Sequence, residues 1–170
     1  MGESSGIRIK RIALDNPEDV RGLQVMMNEY ASDINGGGQL LSEQVLAALP
    51  ETLAMCPTYV GLLALDESNG DAQPEPVGLL NAFWSVSTFK AKRLLNVHDL
   101  AVKSSHRRKG IGRVLLNEIQ AVAVSLGCCK LTLEVLEHNL GAKKLYAEHG
   151  FAPYKLDPSM GDARFLQKNL

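Results

Sequence analysis

Between residues 94 and 136 the chain writes an apolar strand, a glycine turn, a helix and a second strand, in that order. The segment "LLNVHDLAV", residues 94–102, is apolar enough to lie inside a sheet. From Gly110 the apolar residues Ile111, Val114, Leu115, Ile119, Val122 and Leu126 recur at the helical period, and Gly127 caps that helix. Leu131, Leu133 and Val135 then alternate within residues 130–136. A strand joined to the next by a crossover helix implies a parallel pair.

The rest of the chain is built around that unit. Residues 6–14 alternate Ile7, Ile9 and Ile12 with basic residues and read as a strand. Asn16 and Pro17 start a helix that runs to about Asp33, where "NGGG", residues 35–38, breaks it. Ser42 opens a second helix through Leu49, which Pro50 interrupts or bends. Residues 59–65 and 77–88 are expected strands, linked through a hairpin loop at "ESNGDAQPEP", residues 67–76. Asn139 is a fair cap for a last helix, residues 140–149, closed by Gly150. Residues 151–154 and 164–170 are expected to finish the fold as strands. Hairpin-linked early strands and a parallel pair together predict a mixed sheet.

Composition narrows the function classes. The 170 residues suit one domain, 1–170, with a proper core, and 45% apolar content is that of an ordinary globular protein. A formal net charge of -1 supplies no global basic field, so no nucleic-acid partner is expected and any positive patch is local. Cys56, Cys128 and Cys129 are odd in number and two of them adjacent, which with no visible secretory leader suggests a reduced cytoplasmic protein. No apolar run is long enough to span a bilayer, and no membrane partner is expected.

The turn "HRRKGIGRVLL", residues 106–116, puts flexible residues and positive charge where a helix begins. The first helical turn has N–H groups without intrahelical partners, and the helix dipole makes that end positive. Glycines let several N–H groups converge on one anion, so a pyrophosphate suits the place. A P-loop needs Lys and Ser or Thr after the second glycine, but Arg113 and Val114 follow Gly112. A dinucleotide fingerprint needs a third glycine where Leu115 stands. What remains is [Q/R]-x-x-G-x-[G/A], filled by Arg107, Gly110 and Gly112, a short pattern on its own.

A second segment, "NLGAKKLYAEHGF" from Asn139 to Phe151, makes it specific. The pair resembles the GCN5-related N-acetyltransferase (GNAT) superfamily, in which an N-x-x-A-x-x-x-Y-x-x-x-G-F segment follows the glycine turn. Asn139, Ala142, Tyr146, Gly150 and Phe151 fill its fixed positions. The resemblance implies a single-domain α/β (α+β) acyl-CoA N-acyltransferase fold, a mixed central sheet with helices on both faces. It implies acetyl-CoA as cosubstrate and an amine acceptor, and it admits a homodimer. The cradle for the pyrophosphate would be Arg107, Arg108, Lys109, Gly110, Ile111, Gly112 and Arg113, with the backbone N–H groups of Arg108 and Lys109 favoured over their side chains. Leu100, Ala101 and Val102 would offer a splayed strand edge to the pantetheine arm, with a main-chain N–H near Val102 facing the thioester carbonyl. Asn139 and Ala142 would complete the coenzyme site. The stretch from Ser87 to Val102 resembles, more weakly, the polyamine and diamine acetyltransferase branch; Asp99 matches its aspartate, but His98 stands where that branch has glutamate.

Acetyl transfer needs an amine without its proton, since an alkylammonium with a pKa of about 10 has no lone pair. It also needs a stabilised thioester oxygen and a protonated or held thiolate. Tyr146 lies seven residues after Asn139, nearly two helical turns and roughly 10 Å along the axis. It is the candidate general acid, its alternative being a core aromatic beneath the Gly-Phe turn. Strict alternation would put Asn96, His98, Leu100 and Val102 on one face and Val97, Asp99 and Ala101 on the other. An imidazole suits proton removal near neutral pH, so His98 is the candidate base, with Asp99 orienting the substrate ammonium. The alternative for both is a satisfied polar residue in a central strand.

Among the remaining candidates, Lys143 and Lys144 read as a solvated helix face, and Cys128 and Cys129 have no base beside them for a covalent route. No His/Cys cluster has metal-ligand spacing, so no metal is expected, and His106, His138 and His149 read as surface residues. The resemblance implies an acceptor pocket around residues 30–41 with Phe83, Trp84 and Phe89. Glu29 and Asp33, four apart, would favour a cationic amine or simply be solvated. The rival of another class is a binding module that holds acetyl-CoA without turnover.

Overall fold

The computed structural model describes residues 6–68, 70, 73–154, 157, 159 and 165–169. Its elements run β1 (Ile7–Arg11), α1 (Pro17–Ser32), α2 (Glu43–Ala54), β2 (Tyr59–Asp66), β3 (Glu75–Ser87), β4 (Lys92–Val102), a 3₁₀ turn (Ser104–His106), α3 (Ile111–Ser125), β5 (Leu131–Leu133) and α4 (Leu140–Glu148). The chain divides into two compact units, Met1–Leu133 and Glu134–Leu170. Asn69, Asp71 and Ala72 of the hairpin loop lie outside the described residues.

In the first unit the five strands form one sheet in the order β1-β2-β3-β4-β5. The first three pairings are antiparallel and β4–β5 is parallel, so the sheet is mixed and the crossover through α3 is the one the sequence predicts. One face is covered by α1 and α2, where Leu23, Met26 and Leu53 pack on Leu63, Leu65, Leu79 and Ala101. The other face takes α3. Gly78 makes that approach close: a Cβ there would stand 3.0 Å from both the Ala64 Cβ and Ile111 Cγ2, and 3.1 Å from Leu115 Cδ1.

Local chemistry fixes the helix ends. The Asn16 side chain accepts from the Glu18 and Asp19 N–H groups, and Pro17 takes the first helical position. Buried Asp19 is held by Lys10 Nζ at 2.5 Å and the Ala13 N–H at 2.9 Å. Ser42 caps α2 through the Val45 N–H. That helix does not stop at Pro50 but continues to Ala54. Proline at position 50 deprives the Leu46 carbonyl of its usual donor, four residues back. Gln24 of α1 replaces it, its Nε2 lying 2.8 Å from the Leu46 oxygen.

β5 is shorter than the expected 130–136 because its ladder with β4 ends at the Val97–Leu133 pair. The cause lies in β4. Asp99 stands opposite Asn81, but the next β3 residue, Ala82, stands opposite Val97. His98 is the extra residue of a β-bulge, which bends the strand and ends regular pairing.

The second unit holds α4. Asn139 Oδ1 accepts from the Ala142 N–H at 3.1 Å, as a cap should, and Gly150 follows the helix with φ +81°. The Tyr146 and Phe151 rings meet edge to face, centroids 5.9 Å apart. Residues 151–154 and 165–169, expected as strands, carry no regular element, and residues 164 and 170 lie outside the described ones. Pro153 has no N–H to give a ladder, and residues 152–154 are exposed.

Candidate active site

The bulge brings three polar residues of β4 to one face. On β3, Asn81 and Phe83 share the α1 face, so their partners Asp99 and Asn96 share it too, while Leu100 and Val102 face away. This corrects the expected grouping of Asn96 and His98 with Leu100 and Val102: one extra residue reverses the alternation. The His98 ring also reaches the α1 side, meeting Phe83 edge to face at 5.8 Å. His98 and Asp99, expected on opposite faces, therefore come together, with His98 Nδ1 3.6 Å from Asp99 Oδ1.

Asp99 has a polar floor. Asn81 Nδ2 donates to Asp99 Oδ2 at 3.0 Å, and Tyr59 Oη donates to Asn81 Oδ1 at 3.0 Å. Burial raises the pKa of Tyr59, and the Asp99 charge adds to the effect. Tyr30 of α1 is raised in the same way, by burial, then by Asp99 and Asp33. Both phenols therefore stay protonated beside the carboxylate. His98 is 65% exposed and Asp99 17%, so the pair opens to solvent at one end and to the core at the other.

The expected aromatic lining divides. Phe83 joins the cluster, packing on Tyr59 as well as His98. Trp84, one residue on, points to the other face and lies under the Arg93 guanidinium at 4.5 Å. Phe89 is 92% exposed at the β3–β4 turn.

The glycine turn follows β4 directly. Lys103 N–H donates to the Val77 carbonyl, which fixes the strand's phase: the N–H groups of Leu100 and Val102 point away from β3, on the side where β5 no longer pairs. No side chain caps α3. Gly110 takes φ +85° at its start, and Arg108 holds φ +66°, a strained value for a residue with a side chain. The first intrahelical acceptor is the Gly110 carbonyl, bonded by Val114 N–H, so the N–H groups of Ile111 and Gly112 precede the helical ladder. An uncapped helix start after a left-handed glycine fits an anion such as a pyrophosphate.

Arg107 is engaged within the protein. Its Nε donates to the Val102 carbonyl at 3.1 Å and its Nη2 to Asp33 at 2.8 Å. Asp33 also ends α1 and accepts from the Asn35 N–H, which with Arg107 holds its carboxyl below the usual range. Glu29 accepts from the Ser104 N–H at 3.2 Å. Glu29 and Asp33 do face one way, as their spacing predicts, but toward the turn that follows β4. His106, expected at the surface, is only 12% exposed; its Nε2 lies 3.1 Å from Asp66 Oδ2 and its Nδ1 2.9 Å from Ser105 Oγ. Lys143 pairs with Glu137 at 2.5 Å. Cys56, Cys128 and Cys129 are free thiols. Among the described residues no group of three or more His, Cys, Asp or Glu could hold a metal, and no helix is long and apolar enough to cross a membrane.

The model of the acetyltransferase (GNAT) family matches residues 40–151, from before α2 to the end of the Tyr146–Phe151 segment. The chain belongs to the GNAT family. Within that family it is 33% identical to streptothricin acetyltransferase of Streptomyces lavendulae, over 77% of this chain and 72% of that protein. It is also 33% identical to the Bos taurus thialysine N-epsilon-acetyltransferase, over 65% of this chain. That match spans 64% of the bovine protein, short of two thirds of its length. The GNAT fold is seen directly in an aminoglycoside acetyltransferase from an uncultured soil metagenomic sample: TM-score 0.76 at 17% identity, covering 98% of this chain and 99% of that one.

Sequence reasoning missed Asn81. A lone asparagine inside "VGLLNAFW", residues 77–84, was the available signal, because a polar side chain in a central strand needs a partner.

Proposed function

We propose that this GNAT domain, residues 1–170, is an acetyl-CoA-dependent N-acetyltransferase that moves an acetyl group to a primary amine of a small molecule or peptide by direct attack in a ternary complex. The observation that carries the proposal is the uncapped start of α3 directly after a β4 edge that β5 leaves unpaired. Acetyl-CoA supplies the activated acetyl group as a thioester. The N–H groups of the turn and of the first turn of α3, from Arg108 to Arg113, hold its diphosphate, and the edge of Leu100, Ala101 and Val102 holds the pantetheine arm as an added strand would. The N–H of Leu100 or Val102 stabilises charge on the thioester oxygen.

His98 at the bulge takes the amine's proton, directly or through water, with Asp99 beside it. Tyr146 is assigned as the general acid, and Asn139 and Ala142 as coenzyme contacts, on the family motif they fill. An anionic carboxylate favours the charged amine, so Asp99 serves a free-base nucleophile best through His98 or by holding a second cationic group of the acceptor. The thialysine specificity of the bovine relative accords with an acceptor of that kind. A reducing cytoplasmic setting accords with the three free thiols.

Incubation with acetyl-CoA and a panel of primary amines, followed by thiol release and mass spectrometry, tests the proposal. The expected result is one free coenzyme A per acetylated amine. Tight coenzyme binding with no thiol release across the panel would turn the reading into that of a sensor, and absence of binding would end both.

A further inference from the structure

Asn81 is 3% exposed, in the middle of the sheet, and both ends of its amide are bonded. An asparagine in such a place costs stability unless it is fully satisfied. Its Oδ1 receives the Tyr59 hydroxyl, which leaves Nδ2 to donate to Asp99 Oδ2, with Met27 Sδ at 3.3 Å as a weak second acceptor. The amide orientation is determined by this network, since a carboxylate only accepts and the phenol here donates. Asp99 is thereby gripped by one oxygen, and its other oxygen is the one that lies 3.6 Å from His98 Nδ1. The bulge that makes His98 the extra residue begins at Asn81 itself.

We propose that Asn81 is a positioning residue for acetyl transfer: it holds Asp99 Oδ2 from within the core and so turns Oδ1 toward His98. The inference rests on the reading of His98 and Asp99 as the groups that meet the amine. Asn81 itself lies below that surface and acts through Asp99. Gripped in this way, Asp99 keeps Oδ1 on the Nδ1 side of the His98 ring, 3.6 Å away, and leaves Nε2 as the nitrogen that can meet the amine.

Two substitutions at one position test this. Asn81→Leu keeps the branched outline with bulkier methyl groups and removes both the donor to Asp99 and the acceptor of the Tyr59 hydroxyl. Asn81→Asp places a second carboxyl against Asp99, and like charges at that distance share a proton. The groups facing the pair are Tyr30 from α1, Tyr59 from β2 and His98 from β4. While the introduced carboxyl keeps its proton it donates to Asp99 as the amide did; once the proton leaves, repulsion displaces Asp99.

The expected result for Asn81→Leu is a fall of about tenfold or more in kcat/KM for the amine, with KM for acetyl-CoA unchanged. Asn81→Asp should approach wild-type activity at the acid end of a range from about pH 5 to about pH 9 and lose it as pH rises, a profile no packing role produces. A readout without turnover accompanies it. A carboxyl pair with a raised pKa in the folded state is penalised from the unfolded carboxyl value upward, so the melting temperature of Asn81→Asp should fall with rising pH relative to Asn81→Leu. If the melting curves run parallel, Asn81 does not grip Asp99 and the proposal is overturned. If they diverge but both variants keep wild-type kinetics, the grip exists and does not serve the reaction, which overturns it equally. A wild type that acetylates nothing sinks the functional reading instead, and the melting comparison still decides the contact.

Discussion

Tyr146→Phe removes one hydroxyl and keeps the ring that meets Phe151. If the phenol protonates the leaving thiolate, kcat should fall by about 100-fold while the dissociation constant of acetyl-CoA stays within about twofold. Stopped-flow turnover with calorimetry on the same preparation checks both; unchanged kcat removes Tyr146 from the mechanism. His98→Ala probes the other proton. A base must be neutral to act, so kcat/KM for wild type should fall on the acid side, and the variant should lose that limb along with most of its rate. Identical acid limbs in the two profiles would exclude His98. Residue types for the proposed site could be named from sequence because chemistry restricts them: few side chains suit proton transfer near neutral pH. Their directions were not legible at β4, where alternation carried through "NVHDLAV" without knowledge of the bulge gives the wrong face for Asn96. A bulge is decided by pairing with β3, which no local pattern records. His106 escaped for a similar reason, its partner Asp66 lying forty residues away in sequence.

Among elements, α2 shows how tertiary context overrides a local rule. A proline within a helix removes a hydrogen bond, so the sequence predicts an interruption or a bend at Pro50; the helix runs on to Ala54. The orphaned Leu46 carbonyl finds Gln24 of α1, a donor brought in by helix packing. Gln24→Ala should therefore cost about 1 kcal/mol in urea unfolding. In a Pro50→Ala background the restored N–H can reach the same carbonyl, and the cost should shrink to a few tenths, about 0.3 kcal/mol. Equal costs in both backgrounds would show that Gln24 stabilises α1 and α2 in some other way. The start of α3 is the opposite case. Gly110, the apolar period and Gly127 place that helix correctly from sequence alone, because each end is set by a residue that tolerates a left-handed backbone.

Across the whole chain, net charge is near zero, so pH dependence comes from individual carboxylates. Two of them secure the turn between β4 and α3 from different sides. Asp33, at the end of α1, has its pKa lowered by the Asn35 N–H and the Arg107 guanidinium. Asp66, at the end of β2, is lowered first by Ser68 and then by the His106 ring. A carboxyl whose folded pKa lies below its unfolded value, about 3.9, adds stability at higher pH and loses it as pH falls through the folded value. Wild type should therefore lose melting temperature below about pH 4. Asp33→Asn and Asp66→Asn should each melt lower than wild type at neutral pH, and their curves should converge on the wild-type curve in acid, where the native carboxyls are protonated as well. Curves that stay parallel to wild type down to the acid limit would mean that neither charge contributes. Because both contacts end on residues of the turn proposed to hold the diphosphate, a loss confined to neutral pH should be accompanied by weaker acetyl-CoA binding. That link would tie the acid sensitivity of the fold to the segment proposed to hold the cosubstrate.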